Sequence, residues 1–239
     1  MLVLISKTGL LSRPGYKEHM DSTWESNTSE DSVMHDIFDA KFIRGFKGPD
    51  GRSFSLGGGE GHYIFSLFVN FFNPYTNKQS GKKSSVGLIS LVCLNLPPSI
   101  CYKPENMFLF GIIPGLKEPP LTALNRYFKS LVDDLIDFWE TGVKFSKTYN
   151  YDTGQLICCV LLLLACNLPA ARKTAGFASA AHKHFCFICH CTCSQHGYDN
   201  LDYDMWRKKT NSECRSFASR FEAVEHEETR TELFKQSGI

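Results

Sequence analysis

A long hydrophobic run is missing from this chain: the longest, Leu156 to Cys166, has 11 residues against the roughly 20 needed to span a bilayer. Nor is there a secretory leader, because the opening Met1-Leu2-Val3-Leu4-Ile5 has no cationic start and no small-residue cleavage site. These absences exclude a helical membrane protein and give the expectation of a soluble, intracellular chain. Charge of one sign is scarce as well. Lys and Arg number 26 against 25 Asp and Glu, for a net charge of +1 and a pI near 7.6, so any nucleic-acid partner must be met by local patches. A phosphate loop is also lacking. The glycines at 57, 58, 59 and 61 close no G-x-G-x-x-G, since His62 holds its last place, and no glycine lies five residues before Gly81-Lys82. They read as a flexible approach to a first strand.

What is present is size enough for one large or two small domains in 239 residues, and ten cysteines. Without a leader these read as reduced thiols, some of them metal ligands, rather than as disulfides. Two strand-like runs organise the rest. Phe65 to Pro74 and Leu156 to Pro169 are apolar stretches that stop at an asparagine followed shortly by proline, as a buried strand does when it delivers one polar side chain to a sheet edge. Asn70 and Asn167 are therefore candidate site residues. A bland alternative is that each is a turn former.

Taken in order, residues 1–40 are polar and irregular and read as a surface arm. Gly48-Pro49-Asp50-Gly51 is a turn signal. The strand Tyr63–Phe72 and the runs Val86–Leu96 and Met107–Ile113 are punctuated by Pro97-Pro98 and Pro114-Gly115, which suits an antiparallel meander. Leu121, Leu124, Phe128, Leu131, Leu135 and Trp139 then recur at helical spacing, with proline before them and Gly142 after. Asp133, Asp134 and Asp137 flank that stripe and read as a solvated face, although a metal site rebuilt from other acids would look to them first. A polar connection, Lys144–Asp152, leads to a second buried strand, Gln155–Cys166. Pattern alone supports an α/β or mixed α+β fold. Two basic loops, Lys78 with Lys82 and Lys83, and Arg207 with Lys208 and Lys209, are modest DNA-facing candidates, and charge runs of this size are usually solvated surface.

Four cysteines and four histidines fall between His182 and His196. Cys186-x-x-Cys189 has the knuckle spacing that places two thiolates on one Zn²⁺. The remaining ligands would come from His184, His190, Cys191, Cys193 or His196, among which the sequence does not choose; His184 and His190 are the first candidates. The opposing reading is an inert thiol pair. Glu222 to Lys235 reads as a charged, solvated helix.

Several strings in these segments are long and specific: Phe72-Asn73-Pro74, Asn95-Leu96-Pro97-Pro98, Ile112-Ile113-Pro114-Gly115, and Leu168-Pro169-Ala170 followed by Gly176. With them the chain, from about Arg13 onward, resembles the Tnp2-like transposases of CACTA (En/Spm) DNA transposons, in the fungal type. The resemblance implies an incomplete ribonuclease-H-like core of three strands, a helix and a buried fourth strand lying beside the first, with a Cys/His-rich insertion. It divides the chain into an arm (1–40), a partial core (41–180) and an insertion with a charged tail (181–239). It also implies Mg²⁺-dependent strand cleavage and transfer at transposon ends, a DNA partner and a nuclear location. The family's first two acids fall at Asn70 and Asn167, which would then be neighbours. An amide offers a hard divalent ion one neutral oxygen and a repelling donor, whereas a two-metal site needs anionic oxygens. The expectation is a catalytically inactive, truncated transposon remnant with no bound Mg²⁺, prone to self-association along a bare fourth strand. A second expectation is a zinc-stabilised module that binds DNA or protein without catalysis.

Overall fold

Alternation decides the central strand. In β1 (Gly61–Phe72), Tyr63, Phe65, Leu67 and Val69 turn to one face and are all buried. On the other face Ile64 and Ser66 are buried, Phe68 is half-buried and Asn70 reaches solvent. A computed structural model describes residues 11, 13, 36–54, 59–75, 84–115, 117–196 and 201–239. The chain divides into two compact units, Met1–Ala165 and Cys166–Ile239.

The first unit is a mixed α/β fold. On one side β1 pairs antiparallel with β2 (Val86–Cys93), which pairs antiparallel with β3 (Met107–Ile113). Its other side pairs with a parallel strand, β5 (Gln155–Leu164), whose outer side takes the short antiparallel β4 (Val143–Phe145). The sheet order is β3-β2-β1-β5-β4. A parallel neighbour needs a crossover, and α1 (Leu121–Glu140) supplies it, packing mainly on β5. Its buried stripe is Leu124, Phe128, Leu131, Leu135 and Phe138. Phe138 occupies the core place expected of Trp139, since three residues after Leu135 also returns to the same helix face. Trp139 lies on the rim, 5.8 Å from the rings of both Phe46 and Phe54. Asp133 and Asp137 are exposed, and Asp133 is bonded to Lys129 at 2.7 Å.

Three expectations change. The segment from Lys144 is not simply a polar connection: Val143-Lys144-Phe145 is a strand too short for its alternation to register, paired with Gln155–Ile157. Gly142 and Gly154, both at positive φ, lie on either side of it; a Cβ on Gly154 would come within 1.8 Å of the Phe145 carbonyl oxygen. β5 is thus covered by a neighbour over its first three residues. The polar arm also reaches the core, with Leu11 buried and Arg13 donating to Asn106 Oδ1 at 2.9 Å.

The second unit contains α2 (Leu168–Thr174), α3 (Asn211–Ala223) and α4 (Glu227–Ser237). The charged tail expected as one helix is therefore two, broken at Val224-Glu225-His226, where Arg230 Nε donates to the Val224 carbonyl at 2.6 Å. Cys189 bridges to Lys208, and Cys189, Cys191, Thr192, Ala170 and Ala178 are buried. Among the described residues no helix is long and apolar enough to cross a membrane.

One buried polar group ties the sheet together. Asn95, fully buried just past β2, accepts from the Ile64 N–H at 2.7 Å and donates to the His62 carbonyl at 3.3 Å. It takes over the ladder bonds of β1 where β2 has ended, which explains locally the asparagine of the Asn-Leu-Pro-Pro string. Truncation would strand buried backbone groups that cost about 1–3 kcal/mol each. Asn95→Ala is expected to destabilise the protein by about 2–4 kcal/mol in urea unfolding, whereas Lys129→Ala, on the exposed helix face, should change stability by less than about 0.5 kcal/mol.

Candidate functional site

The two asparagines singled out in the sequence stand in different local settings, and only Asn167 has a structural device of its own. Asn70 sits inside β1, opposite Leu88 of β2, and is exposed. The strand runs two residues beyond it, and Asn73 ends it by accepting the Tyr75 N–H at 2.9 Å, an Asx turn at the Asn-Pro step. Asn167 lies outside β5. Its Oδ1 accepts the Ala170 N–H at 3.0 Å and so caps α2, with proline in the helix's first turn. An asparagine followed by Leu-Pro-Ala-Ala-Arg-Lys is a helix-start signal; the strand reading obscured it. Capping needs only an acceptor oxygen, so a carboxylate would serve there equally.

Among the described residues no strand of the sheet contains an Asp or Glu, and the sequence has no acid from Gly61 to Pro104 or from Thr153 to Tyr198.

The basic loop of Lys78, Lys82 and Lys83 lies outside the described residues. In the other basic loop, Arg207 pairs with Glu213, and Lys209 is no free surface charge: its ammonium donates to the Cys186 carbonyl at 2.9 Å and lies over the Phe177 ring. Burial lowers its pKa.

In the Cys/His segment, the Cys189 N–H donates to Cys186 Sγ at 3.2 Å, as in a metal knuckle. Burial, with Cys186 and Cys191 alongside, pushes the Cys189 thiol up to about 11. His184 N–H donates to His182 Nδ1 at 3.1 Å, and His190 Nε2 faces Glu213 at 3.4 Å. Desolvation lowers the pKa of both His182 and His184. No three of His184, Cys186, Cys189 and His190 bring ligand atoms within 4.8 Å of one another.

Among the described residues, ligand atoms converge in this way at one place that sequence reading missed: Glu60, His62 and Cys158. Cys158 is distant in sequence, and only the parallel register that sets His62 opposite Cys158 brings them together. Burial, then the Glu60 and Asp50 carboxylates, push the Cys158 thiol up.

The chain belongs to a transposase family. The family described as "Transposase family tnp2" matches residues 61–235, so the resemblance carried by the sequence strings holds at the family level. No curated protein matches the chain.

Two side chains of the second unit allow direct tests. Asn167→Ala should cost about 0.5–2 kcal/mol and speed amide exchange at Ala170, while Asn167→Asp should leave both unchanged. Glu213 closes a capping box with Thr210, accepting its N–H at 2.8 Å and its hydroxyl at 3.1 Å. Those bonds and His190 hold its carboxyl down at about 2 from an ordinary value of 4.5. A depressed folded pKa stabilises above the unfolded value and is lost as pH falls through the folded one. The stability difference between wild type and Glu213→Gln should therefore be constant above pH 4.5 and fade between there and about 2, followed by circular dichroism.

Proposed function

We propose that this chain is a catalytically inactive transposase-like protein of the CACTA type, with a ribonuclease-H-like core and DNA as its partner. Supporting the core assignment is the strand order: three antiparallel strands, a helical crossover, and a strand returning parallel beside the first. Supporting inactivity is one observation above the rest, that no described strand of the sheet carries a carboxylate; in this reading Asn70 and Asn167 stand at the places of the family's first two acids. A neutral amide cannot neutralise Mg²⁺ or orient it for in-line attack on a phosphodiester. Family membership supports the DNA partner, with Lys78, Lys82 and Lys83 as candidate phosphate contacts, and a nuclear location is the corresponding expectation.

A second reading is a zinc-stabilised binding module, favoured by the Cys189 N–H to Cys186 Sγ contact. Its ligands would be Cys186 and Cys189 with His184 and His190, after closure of the segment around the ion.

The test is strand cleavage on a duplex carrying transposon-end sequence, in Mg²⁺ or Mn²⁺. The expected outcome is no nicking above the protein-free blank. Nicking that disappears in Asn70→Ala or Asn167→Ala would overturn the reading. Metal analysis of the purified protein distinguishes the module: zinc lost selectively in Cys186→Ser supports it.

A further inference from the structure

The end of the sheet at which β1 and β5 begin holds a group of side chains that neither transposase chemistry nor the Cys/His segment uses. Glu60 precedes β1, His62 is its second residue, and Cys158 is its partner on β5. One carboxylate oxygen, one ring nitrogen and one sulfur lie within 4.8 Å of each other. A tetrahedral zinc with bonds of about 2.0–2.3 Å sets its ligand atoms roughly 3.3–3.7 Å apart. The His62 Nε2 to Glu60 Oε2 separation is 3.2 Å, already near that edge.

The imidazole is held for this role. His62 Nδ1 lies 2.6 Å from the Phe54 carbonyl oxygen, and since a carbonyl only accepts, Nδ1 carries a proton; Nε2 faces the Glu60 carboxylate, to which it donates when the ring is protonated, and an incoming cation displaces that proton and takes Nε2 as its ligand. A metal-bound histidine is oriented in the same way by a backbone acceptor on its other nitrogen. The Phe54 ring lies 4.7 Å from the imidazole, and its N–H is fixed to the Phe46 carbonyl at 2.9 Å. This outer support is therefore a closed turn with its own aromatic packing. Gly142 keeps space beside the sulfur, where a Cβ would lie 3.0 Å from Cys158 Sγ. Glu60 is half-exposed, its side chain at 46%, so the site opens to water on one side.

We propose that Glu60, His62 and Cys158 are three ligands of a zinc(II) site at the start of the β1–β5 pair, with water in the fourth position. One carboxylate, one imidazole and one thiolate suit a borderline-soft divalent ion and disfavour Mg²⁺ or Ca²⁺. Metal binding releases the thiol proton to solvent and leaves a bound thiolate. By joining strand β5 to strand β1 and the segment before it, the ion would clamp the parallel pair where it begins. This assignment is independent of the transposase reading.

The experiment uses the metal-stripped full-length chain. Alkylation by N-ethylmaleimide is followed at each cysteine by peptide mass spectrometry, with and without Zn²⁺. Expected is Cys158 alkylation slowed at least about tenfold by Zn²⁺ and restored by EDTA, since losing even an outer partner weakens metal sites roughly 10–100-fold. His62→Gln and Glu60→Gln should each abolish the protection. An unchanged rate at Cys158 in the wild type overturns the proposal without needing any variant to fold. Protection persisting in both variants also overturns it. Cys186 and Cys189 are read as separate peptides, so the outcome at Cys158 stands apart from any zinc in the second unit.

Discussion

Everything in the first unit depends on β1 being hydrogen-bonded along both edges, antiparallel to β2 and parallel to β5. Buried backbone groups of such a strand must be paired or replaced. β5 pairs with its first part, Gly61–Leu67, β2 with its later part, Phe65–Phe72, and the Asn95 side chain takes the bonds at Ile64 and His62 where β2 has ended. Burial on both faces over the first half of β1 follows from the same placement. Only towards its end does one face open, and there stands Asn70.

That arrangement separates scaffold from chemistry. The strings that mark the Tnp2 family have local structural explanations here: an Asx turn at Asn73-Pro74, a buried backbone clamp at Asn95, a helix cap at Asn167. None of these devices needs a carboxylate, so amides satisfy the local structure at each of them. A fold does not by itself fix an activity, because a site is a small set of side chains carried by a core.

The second unit is built differently. With few large apolar side chains buried, Cys189 and Cys191 fill its interior as small hydrophobes, beside Ala170 and Ala178. Lys209 spans it, bonded to the Cys186 carbonyl and laid over Phe177. The thiols raised by burial remain protonated at neutral pH unless a metal displaces the proton.

The amino-acid sequence by itself determined the family, the three-strand meander, the long helix and the buried strand after it. The family is carried by specific strings, whereas the meander, the helix and the strand are written in local alternation, helical spacing and proline breaks, which need no knowledge of distant residues. It also located both asparagines, although not that one lies within a strand and the other caps a helix. Tertiary structure alone decided the short β4, the exchange of Trp139 for Phe138 in the core, and the capture of Lys209. It alone brought Cys158 beside Glu60 and His62, because parallel register is set by packing across a helical crossover and leaves no mark in the spacing of the residues it joins.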